Sequence, residues 1–331
     1  MKPRILVIHN QPLLPPEHPE YASEAEAVET ARHIANLLSH CKYECGLYAV
    51  GLDLREFLDH LEQCRPDVVF NLFEGFAHRG GTEAVVAGLL EWHGIPFTGS
   101  PSWALALCRD KPRAKALMLG SGISTPPFLS VHALPCPRWP HGWPAIVKPG
   151  LEDASVGISH DNVVSDQPAL AERVATLLSR YGPPVLIEKY VAGREINVAI
   201  VADPSPRLLP PSEIIFRPRR SESWPIVTYE AKWHPDSEDD RATRPQCPAD
   251  VDSELAARLE AMALRAFEVF GCRQYARCDF RVDSQGQPFL LEVNPNPDIH
   301  PSAGFANALH AANIPYEDFL RRLVTSLWQK R

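Results

Sequence analysis

Two carboxylates and a side-chain amide, Asp279, Glu292 and Asn294, stand on two runs that alternate apolar and polar residues around the turn-forming segment Asp283-Ser284-Gln285-Gly286-Gln287-Pro288. That alternation predicts a β-hairpin over residues 277–282 and 289–294. Setting Asp283 opposite Pro288 brings Val282 against Phe289, Arg281 against Leu290, Asp279 against Glu292 and Arg277 against Asn294. Like charges directly across a ladder cost roughly the 0.2–1 kcal/mol of a cross-strand pair, and more when part-buried, so the pairing implies a bound cation. An all-oxygen donor set suits Mg²⁺ or Mn²⁺, whose other positions water or phosphate oxygens fill. The competing reading is an exposed hairpin with incidental acids.

Cations at other predicted strand and helix ends offer a phosphate site. Lys111 lies near a helix start, Lys148 closes an apolar strand beside a loop with Gly150 and Gly157, and Glu188-Lys189 close another strand. Singly, each reads as a solvated surface residue; their places at strand ends make them candidates. An ammonium neutralises phosphate as a point charge, and backbone amides of residues 153–157 can cover it. Arg277, on the face of the acids, could hold a developing oxyanion in its guanidinium fork. No Gly-x-Gly-x-x-Gly follows the first strand and no Walker A pattern occurs, which argues against the common dinucleotide and P-loop folds.

The elements that must position these groups follow from hydrophobic period. Residues 4–9 and 67–72 read as buried strands, 23–38 as a helix with a Ser23–Glu26 capping box, 74–81 as a glycine-containing loop and 83–93 as a helix. This alternation predicts a parallel α/β sheet. A helix from Lys111 to about Leu119, a proline-rich passage, strands at 145–148, 184–190 and 194–202, and helices at 168–181, 252–270 and 316–328 complete the pattern. A long loop carries Thr228-Tyr229-Glu230-Ala231-Lys232-Trp233.

The whole chain sets bounds. Its 331 residues suffice for two or three domains, and 45% hydrophobic with 22% charged residues is ordinary for a globular protein. A net charge of −8 and a pI near 5.9 argue against a nucleic-acid partner. Neither a signal peptide nor a membrane span is visible, so the expected location is cytoplasmic. The eight cysteines form no Cys-x-x-Cys pair and are expected to be reduced, mostly buried thiols. The 33 prolines cluster at residues 11–19, 124–144 and 203–218, which are predicted as loops.

In this order and spacing the residues resemble the ATP-grasp superfamily, and within it the D-alanine–D-alanine ligases and their relatives. The resemblance spans most of the chain: Gly94-Ile95-Pro96-Phe97-Thr98-Gly99-Ser100, Asp110-Lys111, Ile146-Val147-Lys148-Pro149, Ser155-Val156-Gly157, Glu188-Lys189-Tyr190, Tyr229-Glu230-Ala231-Lys232, Arg277-Cys278-Asp279 and Leu291-Glu292-Val293-Asn294. It implies an α/β (α+β) architecture, an ATP-grasp fold with an N-terminal parallel α/β (preATP-grasp) domain. The implied domains are 1–109 for substrate, 110–191 as the central ATP-grasp part and 192–331 with the metal site and lid. On the matching positions, Lys111 and Lys148 contact phosphates with Ser155 in the covering loop. Glu188, Lys189 and Val191 meet adenine, Glu195 the ribose, and Lys232 the γ-phosphate from a mobile loop. Asp279, Glu292 and Asn294 hold two Mg²⁺ ions. The implied reaction is phosphorylation of a carboxylate by ATP and attack of an amine on the acyl phosphate, which needs charge neutralisation and in-line positioning more than a protein nucleophile. Residues 224–248 are the expected lid that keeps water from the acyl phosphate. The resemblance also favours a homodimer acting on small amino-acid or carboxylate substrates.

Four departures gather around the amino-acid sites. Ala154 replaces the first of two serines; Trp233 follows the loop lysine in place of tyrosine or phenylalanine; Glu74-Gly75 replaces His-Gly. The run Pro295-Asn296-Pro297-Asp298-Ile299-His300-Pro301-Ser302-Ala303-Gly304 lacks Pro-Gly-(Met/Leu)-Thr and has alanine where a carboxylate-binding serine would stand. A site whose hydrogen-bond donors vanish loses discrimination for a carboxylate or hydroxyl. Glu24 or Glu26 is the candidate for a substrate ammonium, Glu26 serving equally well as a helix cap. Ser302 supplies a hydroxyl one residue away, and His300 is either a reader of a substrate carboxylate or structural. The expected function is therefore an ATP- and Mg²⁺-dependent ligase with an altered amino-acid pocket. The alternatives are a specialised ligase joining another amino acid to a small acid, a ligase modifying a protein terminus, and an ATP-binding protein without catalysis.

Overall fold

Residues that are apolar on both faces form the first sheet. In the computed structural model, which describes residues 2–18, 21–76, 81–217 and 223–329, β1 (Arg4–Asn10) is buried from Ile5 onward. It is followed by α1 (Tyr21–His40), β2 (Glu44–Val50), α2 (Leu54–Cys64), β3 (Val68–Leu72), α3 (Thr82–Trp92) and α4 (Ser102–Arg109). The strands pair in parallel in the order β2-β1-β3, with Val7 between Leu47 and Phe70. Helices cover both faces of such a sheet, which is why β1 and β3 lack alternation. The helix α1 starts ahead of Ser23, so Ser23 is not its N-cap and the capping box predicted there is corrected. Residues 19–20, where a cap would fall, and 77–80 of the predicted loop lie outside the described residues.

The second sheet is antiparallel, in the order β4-β7-β5-β6. It comprises β4 (Phe128–Val131), β5 (Ala145–Pro149), β6 (Val163–Val164) and β7 (Val185–Lys189), with α6 (Gln167–Tyr181) laying Leu170, Val174 and Leu177 onto Val147, Val185 and Ile187. The preceding helix α5 (Lys111–Gly120) is capped by Asp110, whose carboxylate accepts from Arg113 N at 3.0 Å. Its Ala114 and Met118 pack into the core of the third sheet.

That sheet contains β8 (Arg194–Ala202), β9 (Pro206–Leu208), β10 (Ser212–Phe216), β11 (Thr243–Gln246), β12 (Tyr275–Val282) and β13 (Pro288–Asn294). Its order is β11-β10-β8-β12-β13, with β9 on β8. Where a long loop was expected, the chain forms α7 (Tyr229–Trp233) and α8 (Glu238–Ala242) before β11. The helix α9 (Ser253–Val269) buries Leu255, Leu259, Ala263 and Phe267 against Ile196, Val198, Cys278, Phe280, Leu290 and Val293. Leu290 and Val293 both face this core although three positions apart, because a bulge interrupts the β12–β13 ladder between Asp279 and Phe280. The predicted pairs Asp279–Glu292 and Arg277–Asn294 are present, but beyond the bulge Arg281 faces Phe289 and Val282 faces Pro288, one residue from the expected register.

The chain ends by returning to the first sheet. Phe305 and Leu309 of α10 (Gly304–Ala311) and Phe319, Leu320 and Leu323 of α11 (Tyr316–Trp328) share one core with Ile5, Val7, Phe70 and the α1 residues Ile34 and Leu38. Arg273 adds polar ties, donating to Gly99 O at 2.7 Å and Phe97 O at 2.8 Å. All eight cysteines are free thiols, but only Cys108 and Cys278 are buried; the expectation that most are buried is corrected. Among the described residues no helix is long and apolar enough to cross a membrane.

Gly271, at φ +60°, lies beneath the Trp103 ring so closely that an added Cβ would come within 1.9 Å of it. Gly271→Ala is expected to cost about 1–3 kcal/mol in denaturant unfolding, through overpacking and a left-handed backbone. Adding Trp103→Ala should recover the overpacking part alone.

Candidate active site

The face of the third sheet opposite α9 collects polar groups in register. Asn197 on β8, Asp279 on β12 and Glu292 on β13 form one row; Glu195 and Arg281 pair in another. Asp279 receives two hydrogen bonds of 2.7 Å from Arg277, Nε to Oδ1 and Nη2 to Oδ2, and one of 2.8 Å from Asn197 Nδ2. Burial alone would lower the Arg277 pKa, but Asp279 holds it above its ordinary value. Burial pushes the Glu292 carboxyl up against the pull of Lys111, and Asp279 and Asp153 push it further. Asn294 Oδ1 accepts from Asn296 N at 3.1 Å. Two crowded carboxylates and an amide oxygen, one of the acids driven toward neutrality, fit a hard divalent cation.

Beside this corner Glu188 is buried between two lysines, Lys148 at 2.8 Å from Oε2 and Lys115 on Oε1. Burial would raise its pKa, yet the two ammonium groups hold it below the usual carboxylate value. Its carboxylate is thus engaged with the two lysines. Lys115 also donates to Thr125 Oγ1 at 2.8 Å, which donates in turn to Leu290 O at 2.7 Å. The Lys189 ammonium donates to Trp143 O at 2.6 Å, and Val191 O accepts from Arg281 Nε at 3.0 Å.

A second charge cluster joins the loop after β5 to the start of α5. Asp153 bridges Lys111 Nζ at 2.6 Å and Arg109 Nη1 at 2.7 Å. Burial works to raise this carboxyl, but the two cations hold it down to about 2. Ala154 and Ser155 follow with φ of 54° and 61°, a left-handed pair that side chains disfavour. The segment expected to be the lid docks on them: Trp233 Nε1 donates to Ala154 O at 2.9 Å and Ser155 Oγ to Val227 O at 3.2 Å. Lys232 lies 4.8 Å above the Trp233 ring, a cation–π arrangement. Thr228 caps α7, accepting from Ala231 N at 3.0 Å.

The residues expected at the amino-acid end lie on α1, after β3 and in residues 294–303. Glu24 Oε2 accepts from Leu13 N at 2.8 Å and Leu14 N at 2.9 Å, so this carboxylate shapes the loop after β1. Glu26 is raised by burial and by Asp298, tempered by Lys232 and His300. Glu74 is exposed at its surface, yet desolvation by the surrounding protein and the charge of Asp298, against Lys232, raise its carboxyl to about 8. Glu83 is buried and raised to about 7 despite Arg109. Glu26, Glu74, Lys232 and His300 are therefore brought into one electrostatic neighbourhood. His300 Nδ1 lies 2.7 Å from Ser302 Oγ and accepts from Ser302 N at 3.2 Å, so His300 and Ser302 engage each other within a turn.

The family described as D-ala D-ala ligase C-terminus matches residues 138–325. A D-alanine–D-alanine ligase of Ralstonia pickettii is 33% identical over 310 residues, covering 90% of this chain and 88% of that protein. The chain belongs to the D-alanine–D-alanine ligase family. An uncharacterized protein of Sinorhizobium fredii is 33% identical, covering 78% of this chain and 73% of that one. The solved structure of D-alanine–D-alanine ligase from Bacillus anthracis complexed with ATP has the same fold, with a TM-score of 0.77 at 24% identity over 100% of this chain and 98% of that one. The chain is an ATP-grasp enzyme, an ATP-dependent carboxylate–amine ligase that forms a C–N bond.

Sequence reasoning about this ligase missed Lys115, Asn197, Arg281, Arg109 and Asp153. Lys115 stands one helical turn after Lys111, and Asn197 and Arg281 stand two residues from Glu195 and Asp279 on the same strand faces. The period of each element was enough to find these three. Nothing local marks the Arg109–Asp153 contact, whose partners are 44 residues apart.

Asp153→Asn removes the carboxylate that Lys111 and Arg109 share; the expected result is a lower Tm without nucleotide and a larger rise in Tm on adding ATP than in wild type. Glu83, raised from 4.5 to about 7, contributes stability that is complete below pH 4.5 and lost as pH rises through 7. Glu83→Gln should flatten the fall in Tm between about pH 5 and pH 8.

Proposed function

We propose that this ligase uses ATP and Mg²⁺ to phosphorylate the carboxylate of a small amino acid and joins the acyl group to the amine of a second, through an amino-acid pocket altered from that of its named relatives. The observation that carries the reading is the corner in which Arg277, Asn197, Asp279 and Glu292 meet beside Lys111 and Lys148. Lys111, Lys148 and Lys232 would neutralise the phosphates, with Ser155 and its neighbours covering them. Glu188, Lys189 and Val191 would meet adenine and Glu195 the ribose. Asp279, Glu292 and Asn294 would bind the divalent ions, which when present neutralise charge on the transferred phosphoryl group. Arg277 would orient the carboxylate oxygen and stabilise the oxyanion formed when the amine attacks, and Trp233 would hold the lid against water.

Glu26 would receive a substrate ammonium. Glu74, neutral below about pH 8, would donate a hydrogen bond to a substrate oxygen, a donor of a different kind from a histidine. The curated names of relatives favour D-alanine for both substrates. The absence of a hydroxyl at Ala154, the indole at Trp233 and the His300–Ser302 turn favour a different pair. The three sheets, built from successive stretches of chain, support domains at 1–109, 110–191 and 192–331. The same reading makes the protein a cytoplasmic homodimer.

Phosphate release from ATP should be measured across D- and L-amino acids, singly and in pairs, with product masses recorded. A D-alanyl-D-alanine mass would mean that the pocket changes are tolerated; release only with another pair would mean a shifted substrate; no release with any pair would overturn the ligase pairings proposed. Lys232→Ala should reduce turnover by about 10²-fold or more, as expected when transition-state charge loses a donor. The KM for the amino acid should rise above about pH 8 as Glu74 ionises, and Glu74→Gln should remove that rise.

A further inference from the structure

Arg281 is 3% exposed and every guanidinium nitrogen has a partner. Its Nε donates to Val191 O at 3.0 Å, Nη1 to Glu195 Oε2 at 3.1 Å, and Nη2 to Tyr190 OH at 2.8 Å and to Pro225 O at 2.9 Å. The guanidinium also lies 5.2 Å from the Tyr190 ring centroid and 5.9 Å from that of Phe216. Tyr190 in turn donates to Pro225 O at 3.3 Å and packs edge-on against Trp224 at 5.2 Å. One side chain on β12 thus joins the link between β7 and β8, the carboxylate on β8 and the strap at 224–227 that leads into α7 and Lys232. The register that sets Arg281 opposite Glu195 fixes the geometry.

We propose that Arg281 is a positioning residue that sets the adenosine edge of the ATP site and ties it to the root of the lid; this rests on the reading of Val191 and Glu195 as adenosine contacts. Holding the Val191 carbonyl fixes the peptide whose polar edge would read the base. Holding Glu195 fixes the carboxylate that would meet the ribose. Holding Pro225 sets where the lid strap starts, so occupancy by adenosine and placement of Lys232 depend on one fork. A lysine cannot replace it, because a compact ammonium does not span four acceptors spread around a plane.

The test is steady-state kinetics of Arg281→Lys, with Tyr190→Phe as a milder variant that deletes one acceptor and leaves the core intact, and Glu195→Gln as the check on the underlying reading. For Arg281→Lys the KM for ATP should rise about tenfold or more, the scale of one lost charge-assisted hydrogen bond, and preference for ATP over GTP should fall. The KM for the amino acid should stay within about twofold. Tyr190→Phe should give a smaller rise in the same constant at near-native Tm. If Glu195→Gln raises the KM for ATP while Tyr190→Phe and a folded Arg281→Lys leave it and the ATP/GTP ratio unchanged, the assignment of Arg281 is overturned. If Glu195→Gln also has no effect on the KM for ATP, the adenosine reading of this edge fails, and the role of Arg281 fails with it. Should Arg281→Lys not fold, an unchanged KM for ATP in Tyr190→Phe beside a raised one in Glu195→Gln overturns the assignment.

Discussion

The site depends on one part-buried carboxylate, Glu292, that has no ion-pair partner of its own among the described residues, in a corner where every neighbouring carboxylate is matched to a cation. Asp279 is balanced by Arg277 and Asn197, Glu188 by Lys115 and Lys148, and Asp153 by Lys111 and Arg109. Glu292 has no such pair among the ion pairs of the described residues, and its carboxyl is pushed up accordingly. Buried ion pairs are poor sources of stability because desolvation offsets much of the attraction. Their value here is geometric: each carboxylate fixes where its cations sit, among them Lys111 and Lys148, the two proposed for the phosphates.

The three sheets serve this charge arrangement in different ways. The antiparallel β8-β12-β13 ladder puts groups from three strands into rows whose spacing the backbone fixes, and the bulge after Asp279 allows both Leu290 and Val293 to reach the core while Glu292 and Asn294 stay on the site face. The second sheet supplies Lys148 and Glu188 from strand ends, and α5 reaches across to it while packing on the third. The first sheet and its helix α1, locked to the third sheet through the core shared with α10 and α11, bring Glu26 and Glu74 into the common neighbourhood of Lys232 and Asp298. Lys232 comes from a short helix docked on the strained Ala154–Ser155 turn.

What could be read in the chain beforehand follows from these physics. Strands buried on both faces and the alternating hairpin carry their pattern locally, so β1, β3, β8 and the facing of Asp279 and Glu292 were legible. The outer half of the hairpin was not, because a bulge changes the phase; the one clue was the spacing of Leu290 and Val293, which a regular strand would put on opposite faces. The pairing of Glu188 with Lys115 and Lys148, and the contact of Asp153 with Arg109, depend on chain folding over tens of residues and leave no local trace. The substrate departures at Ala154, Trp233 and Glu74 were visible as residue types, while the indole bond to Ala154 O and the His300–Ser302 turn appeared only in three dimensions.

The most direct test of the charge-balance account is calorimetric titration of ATP with and without Mg²⁺ in wild type and in Glu292→Gln. The account predicts that Mg²⁺ tightens ATP binding by about tenfold or more in wild type and that Glu292→Gln loses most of that gain while keeping metal-free affinity. Equal affinity with and without Mg²⁺ in wild type, or an undiminished gain in Glu292→Gln, would contradict it.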